Sequence, residues 1–518
     1  MSLPSPAKLT KVIDAELEAR AIQDVITPHK EWFMYADGRT PISVTRDEFE
    51  FSLAHGRLIF SCWTEDGSRI WRVKGWNWTG EKLRLELTRR MGAETATFDL
   101  IPQLSAKAIV ASIVAARQAR CEKLAQITAE YLSAKIEKSS LSPGMRRDQP
   151  GRYARIMLRL PHERIAVTGT VAQSDVRNVD ALFSSALLWF ERMVQSPKRP
   201  SINRLLMVVE RAVLHAARQR HVLLRESLRD RIELREIDGD WTQVSAVAPF
   251  TRKHLWRQRL MRFLPVNEAE ASPRATGIVA HAPQAIDVVA SRHGQTLRYH
   301  GLPFARVRRL MNQDRIWFGV EGSRRLALDD VHQRDWAKLL RDLETYRSET
   351  CRDRRHWLYR ASGEAWLESI LRRDITKLDP GLIIAPLHAQ FRTSHGGASG
   401  SKGGARPIDL LALRHDGRLA VIELKVNEDR EHVFQGVDYW RRVEAHRRRA
   451  HISSARLFGD REISDESPLV YLVAPALRFH PSFRTLAKTI ASDVEIYRFD
   501  INEDWRAGVR VVRRERVN

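Results

Sequence analysis

The residues of this chain whose types and spacing could do chemistry lie in the stretch 406–425, RPIDLLALRHDGRLAVIELK, which carries Asp409, Glu423 and Lys425. Its two flanks, 408–413 and 419–425, read as apolar strands. Between them Arg414-His415-Asp416-Gly417-Arg418 is a turn signal, with Gly417 free to take positive φ. If the loop is 415–417 with a bulge at the glycine, Arg414 faces Arg418, and counting back along both strands puts Asp409 opposite Glu423. Opposed residues on a ladder hold their Cβ atoms about 4.5–5.5 Å apart. Lys425, two residues past Glu423, points to the same face. Two acids and a lysine then converge at one strand end. Two close carboxylates repel, and one has its pKa raised. A hard divalent cation relieves that repulsion, because it takes its ligands from carboxylate and carbonyl oxygen.

At these residues the sequence resembles the PD-(D/E)xK nuclease superfamily, of the RecB-like, restriction-endonuclease-like kind. Pro407-Ile408-Asp409 matches the first element, with one residue between the proline and the aspartate, and Glu423-Leu424-Lys425 matches the second. The string QGVDY, with Gln435 and Tyr439 one turn apart on a helix expected over 431–449, resembles the QxxxY element. Upstream, a helix over 362–377 carries Glu364 and Glu368 one turn apart, and families of this type place a glutamate there. Glu368 is the choice and Glu364 the alternate. The resemblance covers only about 351–518.

It implies hydrolysis of phosphodiester bonds by water with Mg²⁺ or Mn²⁺, in repair, recombination or defence. Asp409, Glu423 and the Leu424 carbonyl would hold the metal, and Glu368 would bind it directly or through water. Lys425 would position the nucleophile. Gln435 would steady that lysine or the nucleic-acid backbone, and Tyr439 would support the same helix face. Two other readings stay open: a catalytically inactive nuclease-fold DNA-binding subunit of a larger complex, and a nuclease directed at RNA.

The elements around these residues have the order that such a site needs. After the helix over 362–377 comes a strand from 382 to about 391, then the hairpin, the Gln435 helix, a buried strand over 468–474, a helix over 482–491 and a last strand over 494–499. This is an αβββαβ core whose mid-sheet strands are apolar runs, suited to a sheet with helices on both faces. Residues from 351 onward carry their own helix–strand order and apolar strands, and are expected to fold alone.

The whole chain of 518 residues reads as a multidomain α/β protein. Residues 1–120 form a β-rich block with flanking helices. Residues 121–350 are mixed and largely helical, and 351–518 form the nuclease-like domain. In the first block Trp71, Trp76 and Trp78 alternate with Arg72 and Lys74. An unbroken strand would put Trp76 and Trp78 beside the cations, as a stacking platform for single-stranded nucleic acid. A bulge at Gly75 would send the tryptophans to a core face instead. In the middle region, helices are expected over 104–136, 180–193 and 201–229, with a loop over 140–151. The Gly/Ser-rich run 393–406 precedes Asp409 and reads as a loop.

The 86 Lys+Arg against 64 Asp+Glu leave a formal net charge of +22. That excess points to a polyanionic partner, most simply DNA. The three cysteines, Cys62, Cys121 and Cys351, show no zinc spacing, which suits reduced thiols and a cytoplasmic protein. No apolar run is long enough for a membrane span, so no membrane partner is expected. The sequence does not set the oligomeric state.

Overall fold

The computed structural model describes all residues except 1–9, 37–41, 55, 65–66, 90–93, 104–105, 145–149, 173, 196–201, 258–259, 261–270, 292–293, 311–312, 321–325 and 386–408. The Gly/Ser-rich run 393–406, Pro407, Ile408 and the expected strand residues 386–391 therefore lie outside the described residues. The architecture is mixed α/β and multidomain, with four sheets among the described residues. The chain divides into two compact units. One comprises Met1–Asp175, Arg192–Leu214 and Arg231–Val247, the other Val176–Glu191, His215–Asp230 and Ala248–Asn518.

The first unit contains two sheets. Its N-terminal sheet is eight-stranded and antiparallel. The strand Gly67–Trp78 has a register shift between Val73 and Gly75 against its neighbour Leu83–Arg89. That bulge decides between the two tryptophan readings. Trp71 is core, Trp76 and Trp78 pack against the same core, and the Trp76 indole donates to Glu18 Oε2 at 2.6 Å. These rings are structural, and no stacking platform forms from them.

The second sheet corrects the expectation for the middle region. The stretch 201–229 is not one helix: Ile202–Glu210 is a strand, and helix begins only at Arg211. The physical reason is its position. The strand lies between Arg164–Thr170 and Ile232–Ile237, parallel to both. A run such as Leu205-Leu206-Met207-Val208-Val209 is what a strand buried on both faces requires, and over so short a length it cannot be told from a helix stripe. Lys135–Pro143, whose latter part was expected as loop, is an edge strand of this sheet. The region 121–350 is thus not largely helical; its described residues contribute this sheet and a five-stranded antiparallel one over Ile286–Ala327 in the other unit. The long helix is present as Ala106–Leu132.

The site sheet belongs to the second unit. Its helix α1 (Gly363–Arg373) precedes β1 (Leu382–Ile384), β2 (Leu410–Arg414) and β3 (Leu419–Leu424). Helix α2 (His432–Arg447) follows, then β4 (Leu469–Pro475), β5 (Ile496–Ile501) and β6 (Val511–Arg516). The strands lie side by side in that order. β1, β2 and β3 pair antiparallel, β3–β4 and β4–β5 parallel, and β6 closes the edge antiparallel. The αβββαβ order read from the sequence is present, with β6 added. The expected helix over 482–491 is short, Phe483–Ala487.

Alternation along β2 and β3 builds two cores. Leu410, Ala412, Ala420, Ile422 and Leu424 face one core with Trp366, Leu367 and Leu371 of α1. Leu411, Leu413, Leu419 and Val421 face the other with Tyr439 and Val443 of α2. α2 touches the sheet closely at Gly436, where a Cβ would stand 2.5 Å from Leu472 Cδ2. A larger residue there would force the Leu472 side chain to move. The helix is also covered on its far side, by residues distant in sequence. Phe183 packs on Phe434 with ring centroids 5.8 Å apart, and Trp256 meets Trp440 at 6.2 Å. Every residue of α2 from His432 to His446 is buried.

Candidate active site

The hairpin turn sets the site's register. Gly417 has φ 79°, its N–H donates to the Arg414 carbonyl, and the Arg414 N–H donates to the Arg418 carbonyl at 2.9 Å. The ladder then runs Leu413 opposite Leu419 through Leu410 opposite Ile422. Asp409 and Glu423 are the next rung in that register. Asp409 precedes β2 and Lys425 follows β3, so both stand at the carboxyl end of β3, where parallel sheets open a crevice.

Glu423 is 1% exposed. Its Oε1 accepts from Lys425 Nζ at 2.7 Å, and its Oε2, also buried, has no hydrogen-bond partner among the described residues. Asp409 is partly buried, and its Oδ2 accepts the Leu424 N–H at 2.9 Å. Burial, and then the charge of Glu423, push the Asp409 pKa well above the ordinary carboxylate range. Glu423 is also raised by burial, although Lys425 works against the shift. Burial disfavours the Lys425 charge, but Glu423, Glu364 and Asp409 outweigh it and hold the ammonium above its ordinary pKa. The fold thus keeps two mutually repelling carboxylates and one firmly protonated lysine together.

The other residues singled out in the sequence border this group in different ways. Glu364 Oε2 is 3.8 Å from Lys425 Nζ. Glu368 pairs with Arg372 at 2.7 Å, and Arg372 also donates to the Asp409 carbonyl at 2.8 Å. The two glutamates of α1 are therefore divided, Glu364 toward the lysine and Glu368 toward the backbone of Asp409. Leu424 is buried and contributes its amide to Asp409. Gln435 is buried, and its amide reaches Glu431 Oε2 at 3.5 Å, a marginal hydrogen bond. Tyr439 is buried under the Arg442 guanidinium. Burial, and then the charges of Glu423 and Asp409, push its hydroxyl pKa up.

Three further contributors were not singled out from the sequence. His432 Nε2 lies 3.2 Å from the Glu423 carbonyl, so the ring proton sits on Nε2, and the ring stacks on Phe479. Burial, and then Lys425, lower its pKa to about 3, and the imidazole is neutral. Its position three residues before Gln435, on the same helix face, is the signal that could have found it. Asp429 Oδ2 is 4.0 Å from Lys425 Nζ, four residues on in sequence. Asp438 lies inside the QGVDY string. Its carboxylate takes Arg220 at 2.5 Å, Arg441 at 2.7 Å and Arg442, and these cations hold its pKa far below the ordinary range despite burial. Arg220 also binds Asp180 at 2.8 Å. No local sequence signal announces a partner 218 residues away.

Among the described residues, no group of three or more His, Cys, Asp and Glu side chains stands together as a metal cage. No helix among them is long and apolar enough to cross a membrane. No family model matches the chain, and no curated protein matches it. Among solved structures, "Structure of EndoMS-dsDNA2 complex" is similar at 11% sequence identity, over 45% of this chain and 98% of that one, with a TM-score of 0.13. A TM-score that low carries no argument about this chain.

Proposed function

We propose that Asp409, Glu423 and Lys425 form the active site of a metal-dependent nuclease of the PD-(D/E)xK kind, hydrolysing phosphodiester bonds in DNA. One observation carries this reading: two repelling carboxylates share a strand end with a buried lysine. The unpartnered Glu423 Oε2 and the raised Asp409 carboxyl are what a hard cation would relieve. Asp409, Glu423 and the Leu424 carbonyl would hold Mg²⁺ or Mn²⁺, with Glu368 acting through water. A two-carboxylate site suits Mg²⁺, which keeps several waters and takes further oxygens from a bound phosphate. The ion would supply Lewis-acid polarisation and a bound water of lowered pKa.

The chain's own groups do the rest. Lys425 keeps its proton and offers positive charge to a non-bridging phosphate oxygen. Glu423, Glu364 and Asp429 hold that ammonium in place. His432 fixes the Glu423 backbone, and the Asp409 main chain is tied by Arg372. The +22 charge of the chain favours a polyanionic substrate.

The test is a cleavage panel on the full chain with linear, circular, single-stranded and branched DNA and with RNA, in Mg²⁺, Mn²⁺ or EDTA. Cleavage that needs the cation and is lost in Asp409→Ala supports the reading. Cleavage by Asp409→Ala at the wild-type rate would sink it, and cleavage of RNA alone would move the substrate to RNA. A second reading, an inactive nucleic-acid-binding fold, is favoured by the Lys425–Glu423 ion pair, which neutralises one carboxylate without a metal. Binding without cleavage of any substrate would select it.

A further inference from the structure

The active-site end of the sheet continues into a cleft of ≈ 570 Å³. Its walls include Val426 and Asn427, directly after Lys425, and Gly363, directly before Glu364. The start of α1 and the exit of β3 are in contact there, since a Cβ on Gly363 would lie 2.9 Å from Val426 Cγ2. Pro475, at the carboxyl end of β4, forms another wall. The cleft thus opens within one or two residues of the groups proposed to act on the phosphodiester.

Its lining has an unusual composition. Arg355, Arg360, Arg478 and Arg506 border it with a single acid, Glu503, which lies 3.7 Å from Arg478. Arg506 is pinned by three rings, its guanidinium 4.5 Å from Tyr359, 5.0 Å from Trp366 and 4.2 Å from Trp505. Its Nε is buried and has no hydrogen-bond partner among the described residues. Trp357 lies on the rim and is 51% exposed, whereas Trp366, Trp440 and Trp505 are at most 2% exposed. Its neighbour His356 is fixed by stacking on Tyr346 at 3.7 Å. A half-exposed indole on an anchored segment, beside several cations, offers accessible aromatic surface and a field that attracts anions.

We propose that this cleft receives an unpaired nucleotide flanking the scissile phosphodiester, its base stacked on Trp357 and its phosphate held by Arg360 and Arg506. The inference rests on the nuclease reading for the identity of the adjacent site. The volume lies in the range of small-ligand sites. Stacking on a lone indole needs a base with a free π-face, which an unpaired nucleotide has and a stacked duplex interior does not. Guanidinium groups supply bidentate donors to phosphate. The substrate class that follows is DNA with a single-stranded segment beside the cleaved bond, such as an overhang, flap or gap.

The test measures binding in EDTA, so that cleavage does not enter. Two fluorescent probes are used, an oligodeoxythymidylate of about ten nucleotides and a blunt duplex of similar length. Trp357→Ala should weaken binding of the single strand by about fivefold to a hundredfold and change duplex binding by less than about twofold. Trp357→Phe should keep most of the affinity, because a ring still stacks. Arg360→Ala should lower the salt slope of single-strand binding by about one. Trp357 is half exposed, so its loss leaves the core intact, and an unchanged Tm verifies this. The proposal is overturned if the wild type does not bind the single strand, if Trp357→Ala binds it unchanged, or if both probes weaken equally. The two readings separate cleanly. A chain that cleaves nothing, but loses single-strand affinity on Trp357→Ala, keeps the cleft and loses the nuclease. A chain that cleaves and ignores Trp357→Ala does the reverse.

Discussion

Replacing Lys425 by methionine probes the electrostatics of the site most directly. Lys425 Nζ is 2.7 Å from Glu423 Oε1, and Glu423 is 1% exposed with its second oxygen unpartnered. Methionine keeps the bulk of the stem and removes the charge. Breaking a buried pair from one side costs about 3–5 kcal/mol, because the remaining charge is left uncompensated. One kcal/mol moves Tm by about 1.5 °C for a cooperative unit the size of the second one, roughly 300 residues. Lys425→Met should therefore lower Tm by about 5–8 °C at neutral pH in EDTA. The loss should also depend on pH in a defined sense. Burial and repulsion already raise Asp409 and Glu423, and Lys425 is the strongest influence holding Glu423 down. A carboxyl whose folded pKa lies above its unfolded value binds its proton more tightly in the folded chain. Its contribution is complete below the unfolded pKa of 4.5 and is lost as pH rises through the folded value. The variant should approach the wild type near that unfolded pKa and fall behind steadily toward about pH 8. Adding Glu423→Gln removes the stranded charge and should recover most of the stability, with no recovery of cleavage. Mg²⁺, standing in for the ammonium, should restore part of the loss in the single variant. Scanning calorimetry across pH reads all of these. A loss that does not vary with pH, or a double variant no more stable than Lys425→Met, would refute the reasoning.

Other outcomes follow from the same contacts. A fragment starting at Cys351, expected from its sequence to fold alone, should be insoluble or unfolded. It lacks Phe183 and Arg220 over α2, and also Arg347, whose fully buried guanidinium donates to the carbonyls of Tyr299, His300, Leu358 and Ala361. A cooperative thermal transition in the fragment would contradict this. Asp438→Ala removes the carboxylate shared by Arg220, Arg441 and Arg442 and should cost about 3–5 kcal/mol by urea denaturation. Because the folded pKa of Asp438 is depressed, its contribution is present above the unfolded value of 3.8 and lost only as pH falls through the folded one. The cost should thus be equal at about pH 5 and pH 8, unlike that of Lys425→Met. Affinity for duplex DNA should fall with salt at a slope of about −0.9 per phosphate contact. A flat salt response would remove the basic surface from the binding reaction.

Local spacing determined the centre of the site. A tight turn with a glycine at its end permits only a few registers, and alternation of side chains then puts Asp409, Glu423 and Lys425 at one strand end. β1 to β5 of this sheet were legible because each is a short apolar run; β6, with its run of charged residues, carries no such pattern and is a strand only because it pairs with β5. The same legibility failed at 202–210, where an equally apolar run is a strand because of its neighbours in the sheet and not because of its own pattern. The sequence left Glu364 and Glu368 as alternates, since both lie on one helix face; packing turned one toward Lys425 and the other onto Arg372. The role of α2 was half visible. Gln435 and Tyr439 stood out by spacing, but nothing in the local pattern says that Asp438, Arg441, Arg442 and Glu444 are buried as well. The helix is buried because Arg220 and Phe183 arrive from far upstream to cover it, and charge can be buried only where an opposite charge meets it. The cleft beside the site has the same origin. Trp357, Gly363, Val426, Pro475 and Arg506 are scattered over about 150 residues and share no motif. Chain-local spacing brought Asp409, Glu423 and Lys425 together; what surrounds them was decided by contacts between segments that only the folded chain brings together.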